Sequence, residues 1–506
     1  MDAQSYREDS AGSPDTQSLV LDSICYTKRF GIVQGGNKKS YGGAQCDLEP
    51  VEQRESSRRA ELSRTQEGSL QTAISHFAQL RIQSPINMIR RLKIENFRSV
   101  KNADLELPLL SYICGPNASG KTNFSEALDF LGQVFQRGLP YAVAEKGGFY
   151  NMCFRRERRS RGAISFGFGG EIRDSPFLVE IDVAFSLQTR GQTIRSDFYV
   201  ETETYNFKLS SPNGNGFLTL TRAGDHYDCD ASPSFPEDIQ SAFPATSYAP
   251  EFFKEGQFPS EERSLLYSAP RQPIVPLGYE LEQLSSLRVF RINPRTARQS
   301  GTPSVLGELG KFGENLPAVL DVLALDYPET FLHLHELVKE VIPDLDSLKT
   351  RYTASRQMGL FLQEQGFGNP WDAEELSDGT LMSIALFVAL LDPRYNCVVI
   401  EEPENSLHPW ILRKFLSLCQ SVASNKQVVL TTQSPLVVAT ANPENLFLVE
   451  RSTGMTKLVR AIDRESVLPE MLSRQFLDLG QYWMSGALGA VPGPGPEQED
   501  LFGGVE

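Results

Sequence analysis

Residues 115–122 read Gly115-Pro116-Asn117-Ala118-Ser119-Gly120-Lys121-Thr122, and no other run constrains this chain as much. The form is glycine, four residues, glycine, lysine, threonine. The apolar run Leu109 to Cys114 precedes it, and Phe124, Leu128 and Leu131 follow at helical spacing. Strand, glycine loop and helix in that order let successive backbone N–H groups face inward at a helix N-terminus, a nest that suits a polyanion. Lys121 is then placed to reach the β- and γ-phosphates of a nucleotide, and the Thr122 hydroxyl to bind Mg2+. Asn123 completes the candidate binding set. The alternative is a glycine turn that happens to contain Lys-Thr.

Three later segments fit the same chemistry. Ser377-Asp378-Gly379 opens an apolar helix containing Leu381, Ile384, Phe387 and Leu391. A hydroxyl, a glycine and a positive dipole end make a second anion site, although Ser-Asp-Gly is equally a common helix cap. Next comes Cys397-Val398-Val399-Ile400, a short run of the kind buried in parallel sheets, leading into Glu401-Glu402-Pro403-Glu404. Carboxylates at the C-terminal edge of such a sheet lie where ligands bind. Glu401 is expected in the Mg2+ shell, and Glu402 is expected to orient and polarise an attacking water. A solvated acidic loop is the alternative. Val428 to Leu430 is a second buried run, ending in Thr431-Thr432-Gln433-Ser434. Gln433 sits where a γ-phosphate sensor would sit, and its amide can donate a hydrogen bond but carries no proton. His408 reads either as a contact to a second subunit or as a satisfied loop histidine.

Composition narrows the remaining classes. The 506 residues allow two to four domains and a large core. A net charge of −15 argues against a protein coated all over in nucleic acid, but permits one basic groove. The dense cluster Arg155-Arg156-Glu157-Arg158-Arg159-Ser160-Arg161 could grip a phosphate backbone or be a solvated hairpin tip. The seven cysteines are scattered with no Cys-x-x-Cys, and the five histidines are dispersed, which argues against a zinc ribbon, a disulfide framework and a dedicated metal cage. There is neither a long apolar span nor a signal-like N-terminus, so a cytoplasmic protein with no membrane partner is expected.

Residues 1–87 are expected to be a disordered or loosely attached tail, or an upstream extension of the true start, with a helical hint only at Leu70 to Ile82. Residues 88–162 form the N-terminal half of a nucleotide domain. Residues 163–310 read as a β-rich lobe, with alternation from Val179 to Leu187, and an irregular insertion over 225–275. Residues 311–375 read as helical, 376–490 as the C-terminal half, and 491–506 as a flexible tail.

Asn96-Phe97-Arg98-Ser99, the phosphate loop, Ser377-Asp378-Gly379-Thr380, Glu401-Glu402-Pro403-Glu404 and Thr432-Gln433-Ser434-Pro435, in this order, resemble the stand-alone bacterial AAA family ATPases. These belong to the RecF/SMC/OLD-like branch of the ABC-type P-loop NTPases. Gly313-Glu314-Asn315-Leu316 and Trp483-Met484-Ser485-Gly486-Ala487-Leu488-Gly489 resemble the same group. The resemblance implies an α/β ATPase head with a mostly parallel central sheet, an antiparallel β lobe and an inserted helical region. It implies a switch that binds and hydrolyses ATP with Mg2+, and a head-to-tail homodimer. ATP on Lys121 and Thr122 of one subunit would be sealed by Ser377 and Gly379 of the other. Partners implied are double-stranded DNA and a nuclease or toxin protein, in DNA maintenance or anti-phage defence. Fewer than about 60 residues follow the last strand, too few for the metal-binding TOPRIM domain of OLD-type nucleases, so no cutting by this chain itself is expected. The chain differs from the group at Glu401, where aspartate is usual, and at Gln433, where histidine is usual, which implies slow hydrolysis. A nucleotide-gated scaffold with negligible turnover and a transporter nucleotide-binding subunit are the other readings.

Overall fold

The structure, a computed structural model, describes residues 87–154, 162–174, 176–189, 198–223, 226–242, 286–304, 307–463, 478–486 and 488–489. The tails 1–86 and 491–506, the helical hint at Leu70 to Ile82 and the basic cluster Arg155 to Arg161 lie outside these residues.

Five strands run parallel in the order β15 (Leu446–Ser452), β3 (Leu110–Cys114), β14 (Gln427–Thr432), β13 (Cys397–Glu401) and β9 (Leu287–Phe290). Every residue of β13 and β14 is buried, which explains why these strands read as unbroken apolar runs. Their side chains divide between two cores. Cys397, Val399 and Val429 face one, and Val398, Ile400, Val428 and Leu430 face the other. On the first face lies helix α1 (Lys121–Arg137), packing Phe124, Leu128 and Leu131. The second face is covered by α2 (Leu316–Asp326), α3 (Pro328–Val341), α4 (Asp378–Leu391) and α5 (Pro409–Val422). All residues of α4 from Leu381 to Leu390 are buried, so its apolar pattern has no polar stripe.

The β lobe is no separate sheet. Strands β8 (His226–Ala231), β7 (Gly214–Ala223), β6 (Phe198–Ser211), β5 (Phe177–Thr189), β4 (Ile164–Asp174), β1 (Asn87–Phe97) and β2 (Val100–Glu106) pair antiparallel in that order. Through β16 (Met455–Arg460) they join the parallel strands in one mixed sheet, of 13 strands among the described residues. His226–Ala231 was expected to be irregular, but it completes the lobe by pairing with β7. Most of the expected insertion, 243–275, lies outside the described residues. The stretch 311–375 is helical only in part. It also holds a small antiparallel sheet of β10 (Leu345–Tyr352), β11 (Met358–Glu364) and β12 (Trp371–Asp372). Leu348, Leu360 and Leu362 bury the inner face of that sheet among the helices, a period-2 signal too short to stand out in sequence.

One buried cation caps α4. Lys426 donates to the carbonyls of Leu390 and Asp392, both at 2.7 Å, where the helix dipole favours positive charge. Burial still pushes its pKa down to about 8, with Asp392 opposing. The unfolded chain therefore holds a proton between about pH 8 and 10.5 that the folded chain has released, so stability rises with pH in that window. Chemical denaturation of the wild type is expected to gain roughly 2 kcal/mol from Lys426 between pH 8 and 10. Lys426→Met should lack this increment, and equal pH slopes for the two proteins would refute it.

Candidate nucleotide site

The parallel strands carry three expected segments to one edge of the sheet. The glycine loop leaves β3, Gln433 follows β14, and Glu401 and Glu402 end β13. These are neighbouring strands with their C-terminal ends together. Gly120, at the N-cap of α1, has φ +115°, and a Cβ there would stand 2.0 Å from Thr456 Oγ1, so only glycine fits. Ala118 also adopts a positive φ, +61°. The loop is braced from outside by Thr456 and Arg451, which sequence reasoning did not single out. Thr456 Oγ1 donates to the Ser119 carbonyl at 2.9 Å, and Arg451 Nη1 donates to the Ala118 carbonyl at 3.1 Å. Ser99 shares a 2.7 Å hydroxyl contact with Thr456 and accepts from Asn123. Nothing in the spacing of Arg451 or Thr456 signals this, because both lie on a distant hairpin.

Lys121 is buried, and its ammonium donates to the carbonyls of Gly115 at 2.8 Å and Pro116 at 3.1 Å. Its Nζ lies 3.9 Å from Glu402 Oε1. Burial lowers the lysine pKa, and the Glu402 carboxylate is the foremost group opposing that. Glu402 itself has φ +47°, a conformation costly for a side-chain-bearing residue and often tied to function. The chain turns there, and Asn405 Nδ2 donates to Glu402 Oε2 at 3.1 Å. Thr122, Asn117 and Ala118 are exposed, while Gly115 and Ser119 are buried and Pro116 half-buried.

Glu401 is 4% exposed and accepts a 2.6 Å hydrogen bond from Ser125 Oγ on α1. Burial raises its pKa, with the Ser125 hydroxyl and the Lys311 charge pulling the other way. Such a carboxylate keeps acceptor capacity beyond its one hydroxyl partner, and the Ser119 hydroxyl is buried without a partner. Both fit a metal–nucleotide bound at the loop. The longer side chain of Glu401, compared with the usual aspartate, reaches α1 through Ser125.

Beside the loop, Arg98, Ser99, Asn123, Lys146, Asn151, Phe154, Arg451 and Gly454 line a cavity of about 640 Å³. Two of these residues, Arg98 and Lys146, belong to a charge cluster whose other members sequence reasoning did not single out. Glu126 pairs with Lys146 at 2.8 Å, with Lys311 and with Arg98 at 3.3 Å, and Asp129 pairs with Lys146 and with Lys311 at 2.8 Å. Burial alone would raise the Glu126 pKa, but the two lysines outweigh it and hold the group at about 2. No single element carries all five residues, so their spacing gives no motif.

The remaining expected residues have local partners. Ser377 is exposed and caps α4, accepting from the Thr380 N–H at 3.1 Å. Asp378 pairs with Arg298 at 2.8 Å, and the same arginine donates to the Ala373 and Leu376 carbonyls. A Cβ on Gly379 would stand 3.2 Å from the Ser406 carbonyl, so the helix tip abuts the loop after the acids. Among the described residues no hydrogen bond or ion pair joins Ser377, Asp378 or Gly379 to this chain's own phosphate loop. His408 caps α5, its Nδ1 accepting from the Trp410 N–H at 3.3 Å.

The strand β3, the glycine loop and helix α1 have the form of a P-loop on an α/β sheet. Residues 88–151 match the family described as "AAA ATPase domain", and residues 313–439 match that described as "AAA domain, putative AbiEii toxin, Type IV TA system". The OLD nuclease of Thermus scotoductus is 24% identical over 414 residues, covering 75% of this chain. The chain spans 65% of the length of that relative. Among solved structures, an Smc head bound to the C-winged helix domain of ScpA is 14% identical, with a TM-score of 0.41 over 73% of this chain and 96% of that one. The SMC head domain from Thermotoga maritima is 15% identical, with a TM-score of 0.36 over 74% and 98%. The two matched segments, 88–151 and 313–439, contain the glycine loop and the segments of Ser377, Glu401, Glu402 and Gln433, so both halves of the candidate site lie in residues similar to AAA-type ATPase domains. Among the described residues no helix is long and apolar enough to cross a membrane.

Proposed function

We propose that this protein is a slow, ATP-hydrolysing switch that closes as a head-to-tail homodimer around two Mg2+–ATP molecules. The observation that carries this reading is the meeting of Lys121 and Glu402, 3.9 Å apart at the mouth of the glycine loop. Gly115 to Thr122 and Asn123 would cradle the phosphates, and Lys121 would exchange its carbonyl partners for phosphate oxygens. The cavity lined by Arg98, Asn123 and Arg451 would take the nucleoside. Thr122 and Glu401 would hold Mg2+, which neutralises phosphate charge when bound. Glu402 would orient the water and accept its proton, with Gln433 donating to the terminal phosphate.

Among the described residues Ser377, Asp378 and Gly379 make no hydrogen bond or ion pair to their own phosphate loop, and Ser377 is exposed on a helix tip. They are therefore available to a nucleotide on a second copy. A cytoplasmic setting, double-stranded DNA and a nuclease or toxin protein complete the proposal as the partners such a switch would act on.

Mixing variants tests it. Lys121→Ala and Ser377→Arg should each hydrolyse ATP at no more than about a tenth of the wild-type rate, because each damages both composite sites. Mixed in equal amounts, they should regain part of the wild-type rate, since a heterodimer keeps one intact site. A mixture no more active than its components refutes the shared site. Wild-type protein without Mg2+-dependent phosphate release refutes the ATPase.

A further inference from the structure

We propose that Glu404 is a positioning residue for hydrolysis: one of its carboxylate oxygens holds the segment Thr432–Gln433 against the acidic strand end and so sets where Gln433 stands relative to Glu402. The proposal rests on the ATPase reading of this site.

Glu404 Oε1 accepts two hydrogen bonds from the segment after β14, one from Thr432 Oγ1 at 2.8 Å and one from the Gln433 backbone N–H at 2.9 Å. The Thr432 hydroxyl in turn accepts from the Ser434 N–H at 2.9 Å. Two consecutive residues of the sensor segment thus hang on one oxygen, and Ser434 is held to them through the Thr432 hydroxyl. The same segment is tied to the phosphate loop, because the Thr432 carbonyl accepts from the Gly115 N–H at 3.4 Å and Thr432 pairs in register with Cys114. Glu404 also lies only two residues beyond Glu402, across Pro403, on a turn closed by the bond from the Asn405 N–H to the Glu402 carbonyl at 3.1 Å. One side chain therefore links the water-orienting glutamate, the sensor segment and the start of the glycine loop. A carboxylate taking two donors is a strong and directional anchor, and small misplacements of a group near the reacting atoms are costly in rate. Its second oxygen, Oε2, is buried without a hydrogen-bond partner.

The test is the steady-state kinetics of the full chain. Glu404→Ala should lower kcat at least tenfold with KM for ATP within about threefold of wild type. Glu404→Gln keeps a carbonyl oxygen for both donors and should stay within about threefold of wild-type kcat. Glu404→Asp keeps the charge but shortens the reach, and should resemble the alanine variant. Because Glu404 acts through Gln433, adding Glu404→Ala to Gln433→Ala should reduce kcat by less than about twofold further. Should Glu404→Ala fail to fold, Thr432→Val removes one of the two bonds and should lower kcat at least threefold at unchanged KM. Wild-type kcat in Glu404→Ala or Thr432→Val overturns the proposal, as do fully additive effects with Gln433→Ala. If the wild type itself releases no phosphate, the ATPase reading fails and this proposal with it. If the wild type turns over and the Glu404 variants match it, this proposal alone fails.

Discussion

Glu402→Gln is expected to lower ATP hydrolysis about 10²-fold or more while ATP still binds, the range removed with a general base. The amide is nearly isosteric. It keeps an oxygen for the bond from Asn405 Nδ2, so the local turn should survive. What disappears is the negative charge 3.9 Å from the Lys121 ammonium and the group able to take a proton from water. Phosphate release at saturating ATP measures the first effect, and filter retention of labelled ATP measures the second. With hydrolysis blocked and binding intact, ATP-closed dimer should accumulate on size-exclusion chromatography. Turnover within about threefold of wild type would move the water-orienting role away from Glu402 and favour the scaffold reading.

Arg222→Met is expected to destabilise the β lobe by about 3–5 kcal/mol, a large share of a domain's stability. Glu203 and Arg222 are direct cross-strand partners on β6 and β7, both side chains fully buried, with Nη1 and Oε2 3.5 Å apart. They occupy the inward register of their strands, continuing the rows of Tyr205, Phe207 and Leu209 and of Leu218 and Leu220. Removing the arginine takes away the buried positive charge 3.5 Å from Glu203. The double variant Arg222→Met with Glu203→Leu should recover most of the loss, because the desolvation cost of both charges goes with them. Urea unfolding followed by circular dichroism reads both. A single variant within about 1 kcal/mol of wild type would show that water reaches the pair.

The phosphate loop was legible because its requirements are local. Gly120 must adopt φ +115°, and Lys121 must follow at a helix start, so the residues cannot be spread along the chain. The β13 and β14 strands were legible for a related reason: burial on both faces removes every polar residue from a short run. His226–Ala231 was not legible as a strand. It contains His226, Asp228 and Asp230, and it is a strand because β7 offers an edge. The sheet β10 to β12 was missed because its inward leucines are few and lie between two helices.

The candidate site divides along the same line. Lys121, Thr122, Glu401 and Glu402 could be named from the chain alone, since each sits within a few residues of a strand end. Their convergence required the order β3, β14, β13, which no local pattern specifies. The brace from Thr456 and Arg451, the bond from Ser125 to Glu401, and the charge cluster of Glu126, Asp129, Lys146 and Lys311 belong to the tertiary structure alone. Sequence by itself determined which backbone shapes and which chemical groups are present, because those follow from side-chain sterics and short-range spacing. Tertiary structure decided which of those groups meet, because partners separated by hundreds of residues are brought together only by strand order and by the burial that makes their hydrogen bonds and charges count.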